Sequence, residues 1–167
     1  MSRSFQLAPM SSLIKWVTVA LWVMPVAFAI AALISREPFM GIVSALLFAM
    51  YGAVWFCCRP SRFIVSEDSI DILFLLWRRK ISRQTITNVR TISKKAFQQE
   101  FGWAIRIGVG GLWGGFGWLW TTKRGMVEFY VSQLDEFVLL ERSPKQTLLI
   151  TPIHPTEFIR AMQCIEP

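Results

Sequence analysis

The sequence predicts an α+β membrane protein: a hairpin of two transmembrane helices, then a small antiparallel β domain closed by a C-terminal helix. Three observations predict this fold. Two long uncharged segments lie near the N-terminus, short runs of alternating apolar and polar residues follow, and an amphipathic segment comes last. Hydrophobic residues make up 53% of the 167 residues and charged residues 17%, whereas typical soluble domains have about 25% charged residues. This composition excludes a disordered chain and argues against a fully soluble one.

Each uncharged segment is long enough to cross a bilayer. The first, between Lys15 and Arg36, contains 20 residues without a charge, and the second, ending at Arg59, contains 21. About 20 helical residues span about 30 Å of hydrocarbon, so we predict helices over about residues 14–35 and 39–58. A cleavable signal peptide is the competing interpretation of the first segment, but the segment is long and a second span follows almost at once. The short connection makes the two helices antiparallel neighbours.

The charges that flank these helices predict their orientation. Basic residues precede the first helix and follow the second, whereas the connection carries one basic and one acidic residue: Arg3, Lys15, Arg59 and Arg62 against Arg36 and Glu37. By the positive-inside rule, both termini lie in the cytoplasm of a multi-pass protein of the inner (plasma) membrane. Trp16 and Trp55 stand at the cytoplasmic ends of the two spans, as residues of an aromatic belt do.

The remaining chain has the period-two pattern of β-strands. Five runs rich in Phe, Ile, Val, Leu and Thr are separated by residues that favour turns: Arg62–Ser66, Ile70–Trp77, Met126–Ser132, Phe137–Glu141 and Thr147–Thr151. Two weaker candidates lie around Ile81–Ile92 and Trp103–Gly108. Six or seven antiparallel strands at this spacing predict a small sandwich or barrel.

A C-terminal helix is predicted from about Pro155 to Cys164. Proline favours the first position of a helix, and four apolar residues then fall on one face: Phe158, Ala161, Met162 and Ile165. We expect this face to close the open end of the β domain. His154, which precedes the helix start, is interpreted as its N-cap rather than as a catalytic residue.

The order of these motifs resembles a family of bacterial proteins in which a transmembrane helix pair precedes a pleckstrin-homology-like (PH-like) domain. The resemblance rests on Arg62–Val65 with Ile70–Ile72, Ile86–Ile92, the run Gly108–Trp120, Val127–Ser132, Leu149–Pro152 and Pro155–Phe158. His154 departs from the aspartate that is usual in that family. The resemblance implies a bent seven-stranded β-barrel over about Arg62–Thr151 with a helical cap, and no defined reaction. Residues 1–59 would then form the N-terminus and helix hairpin, and residues 60–167 a cytoplasmic PH-like domain.

The most unusual segment is the glycine and aromatic run from Gly108 to Trp120. A nucleotide-binding loop is excluded, because the third glycine of GxGxxG would fall at Trp113 and no GK[ST] follows. One interpretation is a glycine-permitted hairpin whose aromatic residues pack on the domain. The other is an apolar surface for a lipid or a protein partner, formed by Trp113, Phe116, Trp118 and Trp120.

Basic residues concentrate between Arg78 and Arg106, a segment that contains eight basic residues and a single acidic one, Glu100. A solvated cationic edge is one interpretation. The other is a surface that anionic lipids attract, at about 1 kcal/mol for each basic residue near the membrane. The candidates for this surface are Arg78, Arg79, Lys80, Arg83, Lys94 and Lys95. Nucleic acid is not a predicted partner, because few aromatic residues interleave with these charges.

Nothing in the sequence indicates catalysis, a metal or another cofactor. His154 is the single histidine, no CxxC pair is present, and the three cysteines, Cys57, Cys58 and Cys164, suit a reducing cytosol. We therefore predict a non-enzymatic, membrane-tethered PH-like module that engages anionic lipid, a protein partner or a second copy of itself at the cytoplasmic face. The alternative is a structural or assembly subunit of a larger integral membrane complex.

Overall fold

The computed structural model describes residues 2–163, with one strand, two long helices, and then a β domain that includes two further helices. The helices are α1 (Ser12–Ser35), α2 (Pro38–Ala53), α3 (Lys94–Phe101) and α4 (Pro155–Gln163), with a π-helical turn, Val54–Cys58, after α2. The strands are β1 (Arg3–Gln6), β2 (Pro60–Val65), β3 (Ser69–Phe74), β4 (Arg78–Ser82), β5 (Ile86–Ser93), β6 (Ala104–Gly110), β7 (Gly115–Thr121), β8 (Gly125–Val131), β9 (Glu136–Arg142) and β10 (Thr147–Ile150). All five main predicted strands are therefore confirmed.

Helices α1 and α2 form the predicted hairpin, and α1 and the extended α2 are each long and apolar enough to cross a membrane. Ser11 caps α1, because its side chain accepts a hydrogen bond from the Ile14 N–H at 3.5 Å. The helix ends at Ser35, and the residue that follows it, Arg36, has a left-handed φ of 55°. Pro38, at the first position of α2, has the fixed φ that suits a helix start.

Pro25 interrupts the hydrogen bonding of α1, and a side chain of α2 supplies the missing donor. Proline has no N–H, so the carbonyl of Leu21, one turn earlier, loses its helical partner. The Tyr51 hydroxyl of α2 donates to this carbonyl at 3.0 Å. Ser44, also on α2, donates to the Pro25 carbonyl at 2.8 Å. These two bonds join the helices at polar positions within an apolar pair.

Strands β1 to β4 form a four-stranded antiparallel sheet in chain order. Phe5, Phe63 and Ile72 lie opposite one another on neighbouring strands and face the core. Strand β1, which precedes the first helix, is not among the strands predicted from the sequence. A four-residue strand is too short for an alternating pattern to be recognised in the sequence. Its stability depends on pairing with β2, from which it is separated in the sequence by two helices.

The other six strands form a second sheet in the order β5-β9-β10-β8-β7-β6. Within residues 2–163 the two sheets do not join into a closed barrel, so the predicted seven-stranded barrel is wrong. The expectation of antiparallel pairing throughout is also wrong, because β10 pairs with β8 in parallel. The physical reason is that β8 and β9 run in opposite directions and β10 lies between them. A strand in that place must be parallel to one of its neighbours, and β10 is antiparallel to β9 and parallel to β8.

The core lies between the two sheets, and α4 packs on it. Helix α4 contacts β2 of the first sheet and β5 and β9 of the second. Its Phe158 is completely buried, with its ring centroid 5.3 Å from that of Phe5 and 6.4 Å from that of Phe63. The predicted apolar face is confirmed for Ala161 and Met162, which are also buried. Cys164 and Ile165 lie outside the described residues.

The opposite face of the second sheet is covered by α3, which the sequence analysis does not predict. Ser93 caps this helix, and its side chain accepts a hydrogen bond from the Ala96 N–H at 3.3 Å. Phe97 and Phe101 are buried against this face, with their rings stacked at a centroid distance of 4.5 Å. The second sheet is therefore apolar on both faces, which explains why its strands alternate imperfectly.

Candidate functional site

The glycine and aromatic run forms the hairpin of β6 and β7, whose tip (residues 110–115) lies against the helix pair. The hairpin is confirmed by pairing from Ala104 with Thr121 to Gly110 with Gly115, but of its four aromatic residues only Phe116 is buried in the core of the β domain. Gly111 has a φ of 99°, and a Cβ there would fall 2.8 Å from the Val17 Cγ1 of α1. A side chain at this position would therefore push the tip away from α1.

Trp113 holds the tip between the two helices. Its ring centroid lies 6.3 Å from that of Trp22 on α1 and 4.8 Å from that of Trp55, in the π-helical turn after α2. Leu112, beside it, is buried with Tyr51. Trp113 has a left-handed φ of 56°, which is unusual for a bulky residue and persists only where the surroundings determine it. The packing of this indole between two helices supplies that constraint.

The buried hydroxyl of Thr18 binds the backbone of the tip. Thr18 Oγ1 accepts a hydrogen bond from the Trp113 N–H at 3.0 Å. The same oxygen lies 2.7 Å from the Gly111 carbonyl oxygen and 2.8 Å from that of Ile14, so its single proton can be donated to either one. One side chain of α1 therefore accepts the hydrogen bond of the Trp113 N–H and lies within donating distance of the Gly111 carbonyl of the irregular tip.

Replacing Thr18 by valine, which has the same shape but no hydroxyl, is expected to loosen the tip. Leaving buried polar groups without partners costs about 1–3 kcal/mol, so the tip amides should exchange hydrogen about fivefold faster or more. Hydrogen exchange of the peptide covering residues 109–116 in the full-length protein measures this. Thr18→Ser keeps the hydroxyl and should exchange like the unmodified protein. Equal exchange in Thr18→Val would show that Thr18 does not hold the tip.

The structure separates the four aromatic residues that the sequence analysis combines into one surface. Trp113 packs on the helices, and Phe116 is 2% exposed in the core between the sheets. Trp118 and Trp120 are 44% and 58% exposed on the outer part of β7.

Two apolar residues of β6 complete the exposed patch. Ile107 pairs with Trp118 and Ile105 pairs with Trp120, and all four residues are exposed. We call this set, Ile105, Ile107, Trp118 and Trp120, the apolar hairpin face. The two isoleucines are absent from the predicted site, although their alternation with Arg106 in the sequence was a signal that could have identified them.

The candidate basic residues do not all lie free at the surface. Arg79 forms an ion pair with the buried Glu128, and Arg83 donates to the Met162 carbonyl of α4. The exposed members are Arg78 and Lys80 on β4 and Lys94 and Lys95 on α3. Strand β4 and helix α3 belong to different layers, so the structure shows no single cluster of all six.

A buried ionic cluster lies in the core beneath Arg79. Glu128 accepts hydrogen bonds from Arg142 at 3.0 Å and from the Tyr130 hydroxyl at 2.8 Å, in addition to its ion pair with Arg79. Burial, and then the negative charge of Glu128, raises the pKa of the Tyr130 hydroxyl, which therefore remains a donor at neutral pH. Since every charge of this cluster is paired, we assign it a structural role.

Trp77 makes a second contact between the β domain and the helices, which was not predicted from the sequence. The Trp77 indole N–H donates to the Cys57 carbonyl at 2.9 Å, and its ring stacks on Phe74 at a centroid distance of 4.0 Å. Leu75 and Leu76 in the same turn are 57% and 69% exposed. An uninterrupted apolar run between two strands was the available signal.

No group of three or more His, Cys, Asp or Glu side chains that could hold a metal ion occurs in the described part of the chain. The model of the family described as "Bacterial PH domain" matches residues 61–164. The chain belongs to the bacterial PH domain family. PH domains generally mediate lipid or protein binding and are typically non-catalytic. A search of curated proteins and a search of solved structures found no match for the chain.

Proposed function

We propose that the chain is a membrane-anchored PH-domain module that binds lipid at the cytoplasmic face of the inner (plasma) membrane. Helices α1 and α2 are its multi-pass anchor, and the PH domain and both termini lie in the cytoplasm. The main observation that supports the proposal is the packing of the hairpin tip between two helices that are long enough to span a bilayer. The basic residues near the domain ends of both helices and the mixed charges of the distal turn support this orientation.

The lengths of the helices support a tip that enters the bilayer. From the exposed Trp16 to Ser35, α1 measures about 30 Å, the thickness of the hydrocarbon layer. With Trp16 at the boundary, Thr18 lies about 3 Å and Trp22 about 9 Å beyond it. Irregular backbone is tolerated at such a depth only where protein groups satisfy it. The hydrogen bonds of Thr18 to Gly111 and Trp113 meet this requirement.

The apolar hairpin face adjoins the tip and supports contact with lipid. Its tryptophans have an apolar body and a polar N–H, the combination that favours the membrane interface. Because β6 and β7 lead directly from the tip, Ile107 and Trp118 lie within about 15 Å of it along the strands. We propose that this face rests in the interface while the helix pair crosses the membrane.

A fluorescent label at Ile107→Cys, with the native cysteines replaced by serine, tests the proposal in full-length protein reconstituted into vesicles. The vesicles contain phospholipids with a nitroxide quencher on the acyl chain. We expect stronger quenching at residue 107 than at Thr122→Cys, which lies at the opposite end of the hairpin. Equal, weak quenching at both positions would overturn the proposed lipid contact.

One observation favours an assembly subunit as the second candidate. Strand β6 is an edge strand of its sheet, and its unpaired backbone could accept a strand from a partner protein. Purification in mild detergent separates the two candidates. A stoichiometric partner that protects Ile107→Cys from labelling supports the subunit, whereas a lone or self-associated chain with a reactive cysteine supports the lipid-binding module.

A further inference from the structure

A cavity of about 770 Å³ lies between the second sheet, α3 and the first turns of α1. Its volume is in the range of sites that hold a small molecule, about 300–1,000 Å³. The sheet contributes apolar side chains to the wall, among them Leu119, Phe129 and Leu149. Phe129 and Leu149 are each 3% exposed, so the cavity reaches the buried face of the sheet.

Two cations and no carboxylate line this cavity. Lys94 is the first residue of α3, and Arg106 lies on β6 with its guanidinium carbon 5.7 Å from the centroid of the Phe129 ring. A side chain at Gly110 would collide with this guanidinium, so the glycine leaves room for it. Among residues 2–163, neither cation forms an ion pair. Their charge is therefore available to an anionic group.

The remaining wall belongs to α1 near the bilayer boundary. Leu13, Ile14 and Val17 line the cavity on both sides of Trp16 in the sequence. In the proposed orientation, on which this step rests, the cavity therefore meets the membrane where acyl chains approach headgroups. A ligand that enters from the bilayer would bring its tail to the apolar wall and its headgroup to the cations.

We propose that the cavity binds one acyl chain of an anionic phospholipid, whose phosphate lies near Lys94 and Arg106. The apolar wall suits the acyl chain, and the unpaired cations suit the phosphate. The position beside α1 lets the lipid enter from the bilayer. The site differs from the apolar hairpin face, because Ile105, Ile107, Trp118 and Trp120 do not line it. The PH domain would thus extract a lipid tail from the membrane that anchors it.

Photocrosslinking of full-length protein in nanodiscs tests the proposal. The probe is phosphatidylglycerol with a diazirine on one acyl chain, and mass spectrometry locates the crosslinks. We expect crosslinks at Leu119, Phe129 or Leu149, as well as at exposed α1 residues such as Leu33. Crosslinks at α1 and α2 without any in the cavity would overturn this inference but leave the proposed anchor intact. A lack of crosslinks at the helices would instead overturn the proposed function.

Two comparisons test the headgroup. Neutralising both cations, by Lys94→Gln with Arg106→Gln, should lower the cavity crosslink yield about fivefold or more, whereas Lys95→Gln, an exposed neighbour outside the cavity, should not change it. The same diazirine on phosphatidylcholine should crosslink less than on phosphatidylglycerol. Equal yields for the double variant and the unmodified protein, or for the two phospholipids, would overturn the anionic assignment. Labelling of the cavity by a diazirine fatty acid, itself an anion, when phosphatidylglycerol does not label it would instead overturn the phospholipid assignment.

Discussion

Replacing Glu128 by glutamine is expected to lower the free energy of unfolding of the PH domain by about 3–5 kcal/mol. The Glu128 side chain is 1% exposed, and that of Arg142, which donates to it at 3.0 Å, is 2% exposed. Glutamine fills the same space but leaves Arg142 as a buried charge without an anion. Arg79 is 35% exposed and can turn toward water, so most of the loss comes from Arg142.

Denaturant unfolding of the full-length protein in detergent micelles measures this loss. Glu136→Gln removes an exposed carboxylate at the start of β9 and should change stability by less than about 0.5 kcal/mol. Replacing the pair together, by Glu128→Leu with Arg142→Met, should recover stability relative to Glu128→Gln, because no charge of the pair stays buried. A loss no larger than that of Glu136→Gln would show that the cluster does not stabilise the core.

Replacing Phe158 by alanine is expected to cost about 3–5 kcal/mol, which can exceed half of the stability of a small domain. The ring is completely buried and packs edge-on against Phe5 and Phe63 of the first sheet. Its loss would leave a cavity where α4 meets the core, so α4 and β1 should both loosen. Proteolysis of the full-length protein in micelles should then be much faster.

The matched control is Arg160→Ala, on the exposed side of the same helix. It removes a large side chain without opening the core, so its proteolysis should stay close to that of the unmodified protein. Protease resistance of Phe158→Ala equal to that of Arg160→Ala would show that α4 does not hold the two sheets together.

Local patterns in the sequence predicted most elements of the fold. Uncharged segments of membrane-spanning length identified α1 and α2, and alternation identified strands such as β8. Val127 and Phe129 of β8 are buried as the alternation predicts, but Glu128 and Tyr130 on its other face are buried as well. The start of α4 followed from Pro155. Each of these signals depends on residues close together in the chain, so it can be recognised without knowledge of the tertiary structure.

Features that depend on distant contacts were not predictable from the sequence. Strand β1 exists through pairing with β2, and the parallel pair of β8 and β10 follows from the insertion of β10 into the sheet. The sequence likewise did not show that Thr18 bonds to the hairpin tip, since 93 residues separate it from Gly111. Phe116 lies in the core and Trp118, two residues later on β7, is exposed, and this difference depends on packing with residues that are distant in the sequence.

Cysteine labelling from one side of the membrane tests whether a helix pair that crosses the membrane anchors the PH domain at the cytoplasmic face. Single cysteines at Arg36→Cys, between the helices, and at Lys145→Cys, in the exposed turn after β9, are introduced after the native cysteines are replaced by serine. A membrane-impermeant maleimide is then applied to intact bacterial cells whose outer layer has been made permeable. We expect labelling at residue 36 in intact cells, and at residue 145 only after the inner membrane is opened. Labelling of both residues, or of neither, before the membrane is opened would contradict this expectation.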